Sequence, residues 1–320
     1  MENNEYKTLL APLLSLPVSR LQVKFTTTWE FDTKGIGPVL RGRMGKRIKH
    51  SACLFPDDPT SLCLECAFKE NCPYILLFAP LPPAPLLLPD GKVRHVPSPL
   101  RPFVMGLDTE NRILRAWETG YLTLNLFGPC IRECVYFLKT AMATLLTFPT
   151  EITETGFLLP PGSEAEKGNV FPLSAWVYET DTGQKETDTL ELNFLTPLSL
   201  FKGKKPVRED ISFFHIVQAA VRRLRDLKRS FHMDGQMGDL GTSFFDPAGQ
   251  VETAENHLVF RRFKRYSGRQ GQAVYLDGWE GKMVFKGPFQ PFLPLLRAAE
   301  IVHIGKGSSN GNGRFSIIRL

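Results

Sequence analysis

Between residues 212 and 231, Phe214, Val217, Val221, Leu224, Leu227 and Phe231 recur at three- and four-residue steps. That period is the stripe a helix buries against a sheet. A run rich in leucine and phenylalanine, Leu190–Phe201, precedes it and reads as a strand. The basic segment Lys202-Gly203-Lys204-Lys205-Pro206 between them reads as hairpin-like. Loop residues 235–249 follow, then two expected strands, Phe260–Tyr266 and Val274–Phe285. A second helix is expected over Pro291–Ile304, with prolines near its start and Gly305 at its end, and a last strand over Arg314–Leu320. The order β-α-β-β-α-β constrains this half to a ferredoxin-like (RRM-like) unit of the α+β class.

The first half reads in the same order. Leu21–Phe31 alternates apolar and polar, Leu21, Val23 and Phe25 against Gln22, Lys24 and Thr26. A helix is expected over Pro38–Cys53, strands over Pro102–Leu107 and Tyr121–Phe127, and a helix over Ile131–Leu146 with Cys134, Leu138, Met142 and Leu145 on one side. Val170–Tyr178 is the expected closing strand. The chain is therefore expected to hold tandem ferredoxin-like βαββαβ domains, 1–185 and 186–320. The first carries a Cys-rich insertion at about 53–100, and the boundary falls in the polar segment Thr180–Thr189. The repeat is one of architecture, with no repeated sequence.

With 320 residues, 42% hydrophobic and 22% charged, two packed cores are expected and global disorder is excluded. The net charge of +6 favours a polyanionic partner, RNA or DNA first, although its placement matters more than its sum. The apolar run Leu9–Leu16 is too short to span a bilayer, and the run Leu76–Leu88 is broken by prolines. A cytoplasmic protein with no membrane association is expected. In that compartment thiols stay reduced, so clustered cysteines suggest metal before disulfide.

Near the end of the chain, Gly305, Gly307, Gly311 and Gly313 fall within nine positions between a helix and a strand, flanked by Lys306 and Arg314. Glycines let backbone N–H groups approach a phosphate closely, and the cations add charge. The loop follows a helix and precedes a strand, so it is not a nucleotide P-loop. Cys53, Cys63, Cys66 and Cys72, spaced C-x9-C-x2-C-x5-C, match a four-thiolate structural zinc site with no open position for substrate. Cys130 and Cys134 lie four apart on a helix and read as core. On the helix 38–53, Arg43, Lys46, Arg47 and His50 gather beside the apolar stripe Leu40, Met44 and Ile48. A histidine among cations resists protonation and can act as a base near neutral pH, with its neighbours stabilising phosphorane charge. The same residues can equally form a plain solvated face. His215, Arg222, Arg225 and Arg229 fall opposite the third helix's stripe. Arg261, Arg262, Lys264, Arg265, Tyr266 and Arg269 form a basic strand and turn. Interleaved cations and aromatics suit single-stranded or hairpin RNA. His95, His232 and His257 read as surface residues.

Together these features resemble the CRISPR-associated pre-crRNA-processing endoribonucleases of the RAMP superfamily. The resemblance is densest in Arg265-Tyr266-Ser267-Gly268-Arg269-Gln270, in Pro291-Phe292-Leu293-Pro294-Leu295-Leu296-Arg297, and in His303-Ile304-Gly305-Lys306-Gly307 followed by Gly311-Asn312-Gly313-Arg314-Phe315. Upstream it includes Leu40-Arg41-Gly42, Cys72-Pro73-Tyr74, Pro102-Phe103-Val104 and Thr196-Pro197-Leu198. It implies sequence-specific, metal-independent cleavage of CRISPR repeat RNA to mature crRNA. A ribose 2′-hydroxyl attacks, leaving a 2′,3′-cyclic phosphate, and no cofactor serves catalysis. It further implies His50 as base, His303 as its rival at a helix C-terminus that favours the imidazolium, and Lys46 and Arg43 at the transition state. The RNA-binding residues would be Gly305, Lys306, Gly307, Gly311, Gly313, Arg314, Arg265, Tyr266, Arg269, Lys202, Lys204, Lys205, Arg222 and Arg225. Pre-crRNA and other Cas effector subunits are the implied partners. Two rival readings are a non-catalytic RAMP subunit that binds crRNA in an effector complex, and a zinc-containing DNA-binding protein. The second lacks a groove-reading helix after its cysteines.

Overall fold

The computed structural model describes residues 3–57, 63–81, 86–87, 93–94, 99–109, 112–146, 149–163, 169–178, 188–202, 205–231, 233, 240–267 and 272–319. An opening helix α1 (Asn3–Leu14) leads into β1 (Pro17–Thr27), α2 (Gly37–Ala52), β2 (Phe103–Leu107), β3 (Thr119–Phe127), α3 (Ile131–Met142) and β4 (Thr150–Leu158). These four strands form an antiparallel sheet in the order β2-β3-β1-β4. The expected alternation of β1 holds: Leu21, Val23 and Phe25 are buried under α2 and α3, where Leu40, Met44, Ile48, Cys134, Leu138 and Met142 complete one core.

The second half repeats the layout with β5 (Thr189–Leu198), α5 (Phe213–Ser230), β6 (Glu252–Asn256), β7 (Gly278–Lys286), α6 (Leu293–Val302) and β8 (Phe315–Arg319). Its sheet order is β6-β7-β5-β8, again antiparallel. Each half is thus a β-α-β-β-α-β unit with its fourth strand beside its first, the ferredoxin-like layout. Ser212 and His215 box the start of α5, with the Ser212 amide donating to His215 Nδ1 at 3.3 Å. His215 therefore caps the helix and does not extend a basic face.

Three expectations change. The closing strand of the first sheet is Thr150–Leu158, not Val170–Tyr178. It is an edge strand, TEITETGFL, in which only Thr150 is fully buried, so it carries little apolar alternation. Leu173, Trp176 and Val177, spaced i, i+3, i+4, bury one side of a short helix, α4 (Leu173–Val177), instead, after Phe171–Pro172 pairs with the start of β1. In the second sheet the edge strand is Glu252–Asn256, wholly exposed and without an apolar signal. Val259–Arg261 also pairs with β7, while Lys264–Ser267 and Gln272–Tyr275 form a separate hairpin. The helix 213–230 also buries a wider face than its stripe predicted, taking in Phe213, Ile216, Ala220, Arg223 and Lys228.

The apolar run near the amino terminus is α1, and it packs on the second unit. Tyr6 lies 5.3 Å from Phe244 and 5.4 Å from Phe292 between ring centroids, and Leu10, Leu13 and Leu14 join the core around α5 and α6. Buried Lys228 fastens its end, donating to the Pro12 carbonyl and, at 2.8 Å, to Ser15 Oγ. Among the described residues no helix is long and apolar enough to cross a membrane. Residues 180–187 of the expected boundary, and His95 and His232, lie outside the described residues. Leu10 is fully buried against the second unit, so Leu10→Ala should cost about 2–5 kcal/mol. Urea unfolding should report that loss in the second half, followed there by Trp279 fluorescence. An unchanged transition would mean α1 is not part of that core.

Candidate nucleic-acid interface

The glycine-rich segment 305–313 is a tight loop seated on its own chain. Gly305, Gly307, Gly311 and Gly313 all have φ between +71° and +91°, a region costly for residues with a Cβ. A Cβ on Gly305 would stand 2.7 Å from the Ser199 carbonyl, and one on Gly313 would overlap the Ile304 carbonyl. The amides of Lys306 and Gly313 donate to the Ser199 and Pro197 carbonyls, at 3.0 and 3.1 Å, and the Gly311 amide to Ser308 at 2.9 Å. Much of the backbone that the sequence assigned to phosphate is therefore spent on holding the loop to the end of β5. Gly307, Ser308 and Ser309 are left to face the groove beside it.

The same loop meets the start of α2. Asn310 closes on Gly37 so tightly that a Cβ there would strike its carbonyl, and Arg41 donates to Asn310 Oδ1 at 3.4 Å. Two connected depressions flank it. One, of about 600 Å³, is lined by Lys306, Arg101, Arg208, Phe201, Tyr275 and Trp279. The other, of about 390 Å³, is lined by Lys34, Pro38, Arg261, Arg262 and Phe263, and both share Phe260, Asn310 and Asn312. Tyr275 is 60% exposed, and Lys306 Nζ stands 5.4 Å from the Phe201 ring centroid. Cations alternating with accessible rings along one groove match what a single-stranded nucleic acid needs, charge for phosphates and faces for bases.

Lys34, Arg101 and Arg208 were missed in the sequence. Lys34 precedes a Gly-Ile-Gly-Pro helix start, a turn signal that says nothing of what it faces. The Phe263 ring lies directly over Gly35, where φ is +61°, and this contact brings the Arg261–Arg262 segment to the loop. Lys205 is exposed, and Arg222, also exposed, donates to the Phe201 carbonyl at 2.9 Å; Arg225 is half-buried. Lys204 and Arg269, and the side chains of Lys202, Arg265 and Tyr266, lie outside the described residues. His257 is exposed, 3.0 Å from Glu255.

The two histidines are not brought together. His50 is exposed in the last turn of α2. Thirteen residues separate it from Gly37, about 20 Å along the helix axis at 1.5 Å per residue. Arg43 and Lys46 are exposed between the two. His303 borders the loop in sequence, is only 2% exposed, and hydrogen-bonds through its ring to the Asn312 backbone of the loop while lining a cleft between the two units. Burial pushes its pKa well below the usual imidazole value, helped by Arg314, Arg223 and Arg20. The expected imidazolium is therefore reversed to a neutral ring, because desolvation and three guanidiniums outweigh a helix terminus. Arg314 turns inward with it, its stem against Gly106.

Cys53, Cys63, Cys66 and Cys72 are all half-buried. Burial pushes the Cys63 thiol up, Lys49 pulls it down, and the other three sulfurs push it up further. The four are thus electrostatic neighbours, although among the described residues no three His, Cys, Asp or Glu side chains converge as they would on an ion. Cys134 is buried in the first core and Cys130 is raised by its hydrogen bond to Cys134 and by burial, which fits the core reading.

His303 also fixes a pH response. A group held neutral in the fold but free to protonate when unfolded stabilises above the unfolded pKa of about 6.5, and that stabilisation is lost as pH falls below it. Relative to His303→Gln, the wild type should lose stability progressively as pH falls below about 6.5. Denaturation in chloride buffers would measure this. Parallel curves for the two proteins would mean the ring protonates freely in the fold.

Comparisons with known proteins bear on both units. Residues 14–146 match the family model AF_1859_N, described as an N-terminal domain, and residues 192–315 match the family CRISPR-associated endoribonuclease Cas6. No curated protein matches the chain in sequence. Among solved structures, the chain superposes over 95% of its length on chains of a partial and a full Cas6-RT-Cas1–Cas2 complex. Each pair gives a TM-score of 0.54 at 10% identity. This chain spans 46% and 29% of those longer chains. Thermus thermophilus Cas6 superposes over 95% of this chain and 99% of its own, with a TM-score of 0.50 at 10% identity. Likeness at that identity speaks for the doubled fold, and the matched Cas6 domain contains the glycine loop and the Arg261–Arg262 segment. The doubled unit and the loop seated on α2 agree with the match of residues 192–315 to the Cas6 family, which makes the carboxy-terminal half a Cas6 domain.

Proposed function

We propose that this chain is a sequence-specific endoribonuclease that cuts CRISPR repeat RNA to mature crRNA without a metal ion, in the cytoplasm. The observation that carries the reading is the groove of cations and rings that wraps the glycine loop where it meets α2. RNA held there by Lys306, Arg261, Arg262 and Lys34 can continue along the exposed flank of α2, past Arg43 and Lys46, to His50. In this reading His50 takes the proton of the attacking 2′-hydroxyl. Arg43 and Lys46 stabilise the charge that builds on the phosphorane. His303 ranks second, because a buried neutral ring is poorly suited to give up a proton to a leaving oxygen. The proton that His50 accepts must return to the 5′-oxygen, so products are a 2′,3′-cyclic phosphate and a 5′-hydroxyl. Other Cas subunits, of the kind named in the Cas6-RT-Cas1–Cas2 complexes, are the proposed protein partners.

The test is incubation of the full chain with repeat RNA in EDTA. Cleavage to a cyclic-phosphate product is expected, with His50→Ala slowing it by about 10²–10⁴-fold. If His50→Ala and His303→Ala both cut at the wild-type rate, neither histidine moves the proton. A second reading has its own support, since His50 lies about 20 Å along α2 from the end that meets the glycine loop and the His303 ring is buried, bonded to the Asn312 backbone. The chain would then bind crRNA as a non-catalytic subunit of an effector complex, and tight repeat binding without product would select it.

We also propose a structural zinc ion on Cys53, Cys63, Cys66 and Cys72, supported by four neighbouring half-buried thiols beside Lys49. Zinc would hold the insertion to the end of α2 and supply no step of the reaction. Elemental analysis of purified protein should find one zinc per chain, lost in Cys63→Ser together with thermal stability. Metal-free protein with unchanged stability in the variant would refute it.

A further inference from the structure

The helix α5 carries a polar stripe opposite the face it buries. His215, Gln218, Arg222 and Asp226 recur there at three- and four-residue steps, and all four line a recess of about 400 Å³. Leu200, Val207 and Phe214 give this recess an apolar floor. It adjoins the groove of cations and rings, sharing Phe201, Arg223 and Lys306 with it. It shares no lining residue with the cleft that holds His303, so it lies on the helix side of the second unit and not between the two sheets.

Arg223 is the buried cation at the junction of recess and groove. It is 9% exposed, and its Nε donates to the Val302 carbonyl at 3.2 Å. Its Nη2 is buried and has no hydrogen-bond partner among the described residues. Burial pulls its pKa down to about 10, with Asp226 opposing, so it stays charged at neutral pH. A buried guanidinium nitrogen without an acceptor costs stability, and an anionic oxygen at the junction would supply one. Lys306, exposed beside the Phe201 ring, is a second cation within reach of the same place. Deeper along the stripe, Arg222 donates to the Phe201 carbonyl at 2.9 Å, which orients its guanidinium. Asp226 stands one turn further on and is the one carboxylate among the described residues that line the recess. Its contact with Arg229, at 3.8 Å, is a solvent-exposed pair of little strength. Guanine is the base whose Watson–Crick edge sets two adjacent N–H donors, N1 and N2, beside an acceptor, O6. A carboxylate accepts both donors at once, and a guanidinium donates to O6 and N7. Arg222 and Asp226, one turn apart, therefore form a pair complementary to that base.

We propose that this recess binds a guanine nucleotide, with its phosphate on Arg223 and Lys306, its base beside the Phe201 ring and its polar edge on Asp226 and Arg222. The nucleotide is either free guanosine monophosphate or one guanosine unit turned out of an RNA strand lying in the adjoining groove. The site goes beyond the cleavage reading, since no bond is made or broken in it. Bound there, the ligand would tie α5 to the glycine loop and to the end of β5.

The test is calorimetry on the full chain in chloride buffer at fixed ionic strength, with RNA cleavage playing no part in the readout. Guanosine monophosphate and the trinucleotide UpGpU are titrated separately, against uridine monophosphate and UpUpU. One saturable equivalent of guanosine monophosphate supports a free-nucleotide site, and saturation by UpGpU alone supports a guanosine of RNA. Replacing guanine by hypoxanthine, which lacks the N2 amino group, should weaken whichever probe binds by at least about tenfold, as expected for a lost charge-assisted bond. Asp226→Asn should level the guanine and hypoxanthine probes. The discrimination is first read in the wild type, so a variant that fails to fold does not decide the matter. Three results overturn the proposal: no saturable binding by either guanine probe, equally tight binding of the uridine probes, or a folded Asp226→Asn that still discriminates.

Discussion

The Gly313 amide donates to Pro197, the Ile304 amide returns a bond to Gly313, and Thr196 Oγ1 donates to the Gly311 carbonyl while accepting from the Arg314 amide. This short ladder stitches the terminal loop to the end of β5. Asn310 then presses the loop onto Gly37 at the start of α2. Positive φ at four glycines is what allows both approaches at once. The proposed RNA groove begins at that seam. The RNA groove runs along its outer side and the cleft that holds His303 lies inside it.

The two cores meet the seam differently. The first sheet buries a self-contained cluster under α2 and α3. The second takes in α1 and the short helix 173–177, so segments on both sides of the first sheet in sequence contribute to it. Lys228 and Tyr6 are the polar ends of that arrangement, one fastening the end of α1 and the other donating to the Phe244 carbonyl at 3.3 Å. A chain crossing between units in this way limits how far they can move apart. It also keeps Arg20 of β1 facing Arg314, which begins the run into β8.

Much of the fold was legible because its central strands and helices bury one face each. The alternation of Leu21, Val23 and Phe25 and the stripe through Val217, Val221 and Leu224 are direct consequences of that burial. The edge strands failed for the converse reason. Glu252–Asn256 is exposed and Thr150–Leu158 fully buries only its first residue, so burial imposes no strict apolar alternation on them. The site was less legible. The basic residues Arg261 and Arg262 were visible as charge, and so was the glycine run, but Lys34 joined them only through the packing of Phe263 on Gly35.

By itself, then, the sequence determined the doubled β-α-β-β-α-β order, the family resemblance and the basic, glycine-rich end, because periodicity and composition are properties of local segments. Only the tertiary structure decided which way each charged side chain faces. It sent His303 and Arg314 into a desolvated cleft and left His50 in solvent about 20 Å along α2 from its amino-terminal end. Burial and the sum of neighbouring charges fix protonation, and both depend on residues far apart in the chain.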